Sequence, residues 1–152
     1  MIRGARDEDA SSLGSLFDDY RQFYGRPPDL EGACRYVRER LAEGDTRFLV
    51  SESDAAVTAF VHLLPSFDTL AMRPTWILED LFVAPDSRCT GIGSALLIAA
   101  ETLALQSGAA RLTLSTAHTN FPAQRLYERH GWKLDKDFRH YHRTLIERED
   151  HA

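Results

Sequence analysis

The stretch that most restricts what this chain can fold into runs from Thr75 to Gln106. An apolar strand, Thr75 to Val83, is cut off by Pro85, and a loop carrying Arg88 follows. Gly91-Ile92-Gly93 then opens an apolar helix that runs to Gln106, with Ile92, Leu96, Ala99 and Leu103 in helical register. Gly108 supplies a left-handed stop. A strand from Arg111 to Thr116, with Leu112 and Leu114 on one face, comes next.

Periodicity places the remaining elements around this unit. Ile2-Arg3 reads as a short strand, and Asp7 as the cap of a helix whose stripe is Leu13, Leu16, Phe17, Tyr20 and Tyr24. Gly25 and Pro27-Pro28 stop it. A second helix begins near Asp29, with Leu30, Ala33, Val37 and Leu41 inward and Arg35, Arg38 and Glu39 outward, and ends at Gly44. Phe48-Leu49-Val50, a turn at Ser53-Asp54 and Val57 to Leu64 read as a hairpin, with Val57, Ala59, Val61 and Leu63 on one face. Asn120 caps a short helix ending at Gly131, and Phe138 to Ile146 is predicted as a last strand. The fold class is therefore α/β, of the α+β kind, around one mixed sheet.

Composition bounds what such a chain does. Its 152 residues fit one domain, 1–152, able to bury about 70% of the unfolded surface. Hydrophobic residues at 43% and charged ones at 27% exclude wholesale disorder. No apolar run approaches the roughly 18 residues of a membrane span. Acids stand near the amino terminus where a signal would be apolar, so a cytoplasmic location is expected. With 18 basic against 23 acidic residues, no nucleic-acid partner is expected. Cys34 and Cys89 read as free thiols. His140 and His142 share a strand face but lack a third ligand, so no metal site is predicted.

The loop before the long helix carries chemistry. Amides in the first helical turn have no partners within the helix, and residues without side chains let a ligand approach them. With the positive helix end, this makes Arg88-Cys89-Thr90-Gly91-Ile92-Gly93-Ser94 a candidate phosphate cradle, Arg88 adding a charge-assisted contact. A nucleotide P-loop would need Lys-Ser or Lys-Thr after the second glycine, and a dinucleotide fingerprint a small residue where Leu96 stands. Both patterns fail. Glycines needed only for packing remain the alternative for the loop alone.

A second motif, Asn120-Phe121-Pro122-Ala123-Gln124-Arg125-Leu126-Tyr127, followed by Gly131-Trp132, changes the balance. Together the two stretches resemble the GNAT N-acetyltransferase superfamily. Arg88, Gly91 and Gly93 match its (Gln/Arg)-x-x-Gly-x-(Gly/Ala) motif, and Asn120, Ala123, Tyr127, Gly131 and Trp132 match the element after it. The likeness is strongest over residues 76–146. Leu78-Glu79-Asp80-Leu81-Phe82-Val83 is locally similar to the spermidine/spermine (diamine) acetyltransferases, whereas the amino-terminal half matches those only loosely.

The resemblance implies acetyl-coenzyme A as cosubstrate and a primary amine of a small molecule as acceptor. It also implies a mainly antiparallel sheet with a splayed parallel pair, flanked by about four helices. Leu81, Phe82 and Val83 would offer backbone hydrogen bonds to the pantetheine arm, and Arg88 to Ser94 would wrap the pyrophosphate. Asn120, with Ala123 beside it, would meet the pantetheine or cap the helix. Tyr127, with an ordinary phenol pKa near 10, would be the general acid. Glu79 would face the amine as base, directly or through water; the alternative is a strand-to-strand ion pair. Glu79 and Asp80 are expected on opposite faces of their strand, Asp80 in a structural role. His118 is a weaker base candidate.

The acidic and aromatic segment 17–31, with Asp18, Asp19, Tyr20, Tyr24, Asp29 and Glu31, is the expected substrate region; a solvated helix face is its plain alternative. A peptide or protein N-acetyltransferase, or a catalytically silent acetyl-coenzyme A sensor, are the competing functions. Analogy with such folds adds a homodimer, with the last strand as its interface.

Overall fold

A computed structural model describes residues 1–146. The contacts group Met1–Ser115 into one compact unit and the chain from Thr116 onward into another. The first unit is built on a five-stranded sheet ordered β1 (Ile2–Gly4), β2 (Arg47–Ser53), β3 (Ala56–Asp68), β4 (Arg73–Val83), β5 (Leu112–Leu114). Neighbours are antiparallel except β4 and β5, which run parallel. Helices α1 (Ala10–Phe23), α2 (Leu30–Glu43) and α3 (Ile92–Gln106) complete it, and α4 (Phe121–Arg129) belongs to the second unit.

The central strand β3 is covered on both faces. Phe60 joins Leu13 and Leu16 of α1, Val37 of α2, Phe48 and Val50 of β2 and Phe82 of β4 in one core. His62, two residues on, stacks flat on Phe48 at 3.9 Å and so shares that face. Ala59, Val61 and Leu63 point the other way and are fully buried. The predicted alternation of β3 is therefore present, with a second buried face added to it.

Helix α1 meets α2 at a glycine. A Cβ on Gly14 would lie 2.5 Å from Cys34 Sγ and 2.8 Å from Cys34 Cα, so only a bare backbone fits there. Asp18, 4% exposed, sits on the same helix pair. Its carboxylate accepts from Arg21 Nη1 at 2.6 Å, Gln22 Nε2 at 3.1 Å and the Asp29 N–H at 3.1 Å. That network holds the Gly25–Pro28 loop between the two helices. Asp29 caps α2 by accepting from the Gly32 N–H at 2.9 Å.

Leu30, expected on the inward face of α2, is exposed, and other expectations also need correction. Asp9, not Asp7, holds the α1 N-cap position, and its carboxylate turns away from α1 to accept from the Arg6 N–H at 2.7 Å and from both terminal nitrogens of Arg3. Asp7 opens a short 3-10 turn, Asp7–Asp9, that precedes α1. Helix α3 buries Leu96, Leu97, Ala100 and Ala104 rather than the register of Ile92, Leu96, Ala99 and Leu103. It is apolar nearly all round, so periodicity could not choose its face.

The strand predicted over Phe138–Ile146 is not formed. A strand exists only beside a partner that takes its N–H and C=O groups, and this segment pairs with none among the described residues. Phe138, Tyr141, Leu145 and Ile146 are all exposed.

Candidate active site

Strand β4 carries an irregularity where the site is built. His62 pairs with Asp80 but Leu63 pairs with Leu78, leaving Glu79 as an extra residue, a β-bulge. The bulge breaks the strict two-residue alternation. Leu78 turns inward at 2% exposure, and Glu79 and Asp80 both line one cleft. The expectation that the two carboxylates point to opposite faces is thereby overturned.

The cleft has a volume of about 640 Å³ and lies on the α1/α2 side of the sheet. Its sheet wall offers His62, Leu64, Glu79 and Asp80. Its helical wall offers Phe17, Tyr20, Arg21 and Tyr24 of α1 and its end, Arg26 and Asp29 of the loop, and Arg35 and Tyr36 of α2. Tyr20, Tyr24 and Asp29 of the segment 17–31 are part of this lining. Asp18 is buried in its own network, and Asp19 and Glu31 lie outside the lining. Burial, and then the neighbouring Asp80 carboxylate, push the Tyr20 phenol well above its ordinary range, so Tyr20 stays protonated.

His62 is the site residue the sequence reading passed over. At 3% exposure it places Nδ1 3.0 Å from Asp80 Oδ2 and Nε2 2.8 Å from Thr46 Oγ1. A lone imidazole in the otherwise apolar run Val57 to Leu64 was the available signal, because a buried polar group needs a partner. Asp80 is that partner, in keeping with its structural reading. Arg35 is exposed, as expected for the outer face of α2, and also lines the cleft.

Beyond the bulge, β4 loses its parallel neighbour. Strand β5 accompanies it only from Trp76 to Leu78. The Ala84 N–H donates to Thr58 O at 2.8 Å, so by ladder alternation Phe82 also turns its polar groups toward β3. Leu81 and Val83 turn theirs the other way, toward an edge with no strand alongside it among the described residues. That edge leads into the glycine loop. Arg88 Nε donates to Val83 O at 2.9 Å, and its guanidinium lies over the rings of Phe82 and Phe23. Thr90 Oγ1 donates to Ser87 O at 2.6 Å.

Gly91 takes φ +84° directly before α3, with no side-chain cap on the helix and nothing within 4 Å of a Cβ built there. Its conformation, rather than crowding, is what requires glycine. Ile92 and Gly93 open the first turn, and Cys89 is exposed with φ +62°. A glycine-opened helix start beside an unaccompanied strand edge suits an anionic group with an extended, amide-bearing arm.

In the second unit, Asn120 Oδ1 accepts the Ala123 N–H at 3.3 Å and so caps α4, one of its two expected roles. Tyr127 is 9% exposed, with its ring 6.0 Å from that of Trp132. His118 is exposed in the loop before Asn120.

The sequence profile of the acetyltransferase (GNAT) family matches residues 13–132. The chain belongs to the GNAT acetyltransferase family. It is 41% identical over 140 residues to the uncharacterized N-acetyltransferase YhfO of Bacillus subtilis (strain 168), covering 92% of this chain and 94% of that one. The crystal structure of a probable acetyltransferase superposes with a TM-score of 0.92 at 30% identity, covering 97% and 99% of the two chains. A ribosomal-protein-alanine N-acetyltransferase from Brucella melitensis biovar Abortus 2308, at 20% identity and TM-score 0.79 over 95% and 99%, shares the fold. This GNAT protein is accordingly an acyltransferase with a mixed five-stranded sheet and four helices. No helix among the described residues is long and apolar enough to cross a membrane.

Proposed function

We propose that this GNAT protein moves an acetyl group from acetyl-coenzyme A to the primary amine of a small molecule by direct attack. The observation that carries the reading is the β4 edge at Leu81 and Val83, without a partner strand on that side among the described residues and continuous with the Gly91 helix start. Leu81 and Val83 would hold the pantetheine arm through their outward backbone groups, Phe82 between them being spent on β3 contrary to the expectation for it, and Arg88, Cys89, Thr90, Gly91, Ile92, Gly93 and Ser94 would hold the pyrophosphate. Arg88 must leave Val83 O to release that acceptor. Asn120 and Ala123 would complete the cofactor side. The single-domain reading, residues 1–152, is part of the proposal and is supported by a family match that runs across both units.

Acetyl-coenzyme A, when bound, supplies an activated acyl carbon and a thiol leaving group. The chain supplies two proton transfers. An ammonium cannot attack, so Glu79 takes its proton, directly or through water, and frees the nitrogen lone pair. As the N–C bond forms and the C–S bond breaks, the Tyr127 O–H gives its proton to the sulfur. Glu79 is supported by its exposed place in the cleft, and Tyr127 by its motif position.

Release of free thiol from acetyl-coenzyme A, followed across a panel of small amines, tests this reading. Amine-dependent release is expected. Tight acetyl-coenzyme A binding without release on any amine or peptide would instead make the protein a silent sensor.

A further inference from the structure

The cleft is electrically two-sided. Its sheet wall carries Glu79 and Asp80, side by side because of the bulge. Its helical wall includes three arginines, Arg21, Arg26 and Arg35, the last two exposed to solvent. Arg21 is already engaged, donating to Asp18 at 2.6 Å and to Pro27 O at 3.1 Å. Asp29, the acid on that wall, is turned to the α2 amino terminus, where it accepts from Gly32. Arg26 and Arg35 make no side-chain hydrogen bond and no ion pair among the described residues. Two uncommitted cations therefore face a cleft whose opposite wall is anionic.

We propose that the acceptor is a small amine that also carries a carboxylate, with its ammonium met by Glu79 and Asp80 and its carboxylate by Arg26 and Arg35. The inference rests on the amine acetyltransfer reading above and narrows its substrate class. A diamine or polyamine would satisfy the sheet wall while bringing a second cation against two guanidiniums, and repulsion of that kind is how a site rejects a near-isostere. A carboxylate accepts from guanidinium in a forked geometry, and such charge-assisted bonds are the stronger ones. Tyr24 and Tyr36, lining the same wall, give an acceptor's carbon chain an apolar surface to lie on. An amino acid meets both walls at once. Its decarboxylated amine meets only one.

The test uses matched pairs that differ only in the acid group: lysine and 1,5-diaminopentane, ornithine and 1,4-diaminobutane, and each amino acid with its amide. Thiol release should favour the acid-bearing member by roughly 10–100-fold in kcat/KM, the worth of one or two charge-assisted hydrogen bonds. In the double variant Arg26→Gln/Arg35→Gln that preference should fall toward one, chiefly through KM. Calorimetric binding of the same pairs, which needs no turnover, should show the same order.

Equal or better use of the diamines, with the preference unchanged in the variant, overturns the carboxylate proposal and leaves amine acetyltransfer standing. No release with any amine overturns both. A variant that loses affinity for acetyl-coenzyme A while keeping its preference for the amino acid would assign the two arginines to the donor, and that also overturns the proposal.

Discussion

His62 and Asp80 face each other across β3 and β4, with Nδ1 3.0 Å from Oδ2, at the residue pair where the β-bulge begins. The imidazole is clamped from its other side by Thr46 Oγ1 at 2.8 Å and lies flat on Phe48. The pair joins the buried core to the wall of the cleft. Asp80→Ala leaves a buried ring nitrogen without its partner, which costs about 1–3 kcal/mol. Chemical denaturation should show that loss, and Asp80→Asn, which keeps a side-chain acceptor, should recover part of it. Equal stability of all three proteins would remove the pair from the fold's support.

Gly91 holds φ +84° in open space, a region that β-branched residues avoid. Gly91→Val should weaken coenzyme A binding in calorimetry by at least tenfold while circular dichroism shows the fold retained. Strain of about 1–3 kcal/mol at such a site is enough for that effect. Undiminished affinity would move the phosphate cradle elsewhere.

Tyr127 is assigned the proton given to sulfur. Tyr127→Phe keeps the ring beside Trp132 and removes only the O–H. Turnover should fall roughly 10–1000-fold, as for loss of a general acid, with coenzyme A affinity preserved. A rate equal to that of the parent would exclude the phenol from the reaction.

Glu79 is assigned the proton taken from the attacking ammonium, a task that needs its carboxylate. In Glu79→Gln, which keeps the side-chain shape but cannot take a proton, kcat/KM should drop roughly 100-fold or more while acetyl-coenzyme A affinity is preserved. An unaltered rate in the variant would send the role to His118 or to water.

Away from the site, hydrogen bonds from the Arg3 guanidinium hold the Asp9 carboxyl below its ordinary 3.8, with the Arg6 N–H adding to the effect. A carboxyl lowered in the folded state contributes stability above the unfolded value and loses it as pH falls through the folded one. Urea midpoints of the parent and Asp9→Asn should differ at neutral pH and converge on acidification below about 4. A gap that stays constant into strong acid would mean that the carboxylate charge is not what matters.

The chain's own pattern determined much of this protein. Asp29 and Gly44 bound α2, Asn120 caps α4, and Pro85 with Gly91 separates β4 from α3, because these residues act on backbone geometry within a few positions of themselves. The paired motifs around Gly91 and Tyr127 were likewise legible, being local in the chain. Tertiary structure decided the rest. Packing against the sheet settled which face of the apolar α3 is buried, Leu96, Leu97, Ala100 and Ala104, and among the described residues the segment 138–146 lacks the partner that alternation alone cannot supply. The bulge at Glu79 exists only in the pairing of β4 with β3, and it turns two neighbouring carboxylates to one wall. Arg35 faces that wall because α2 packs against α1 at Gly14, a contact made between residues far apart in the chain. Local spacing governs torsions and caps; the charge of a cleft depends on which distant elements are brought to face each other.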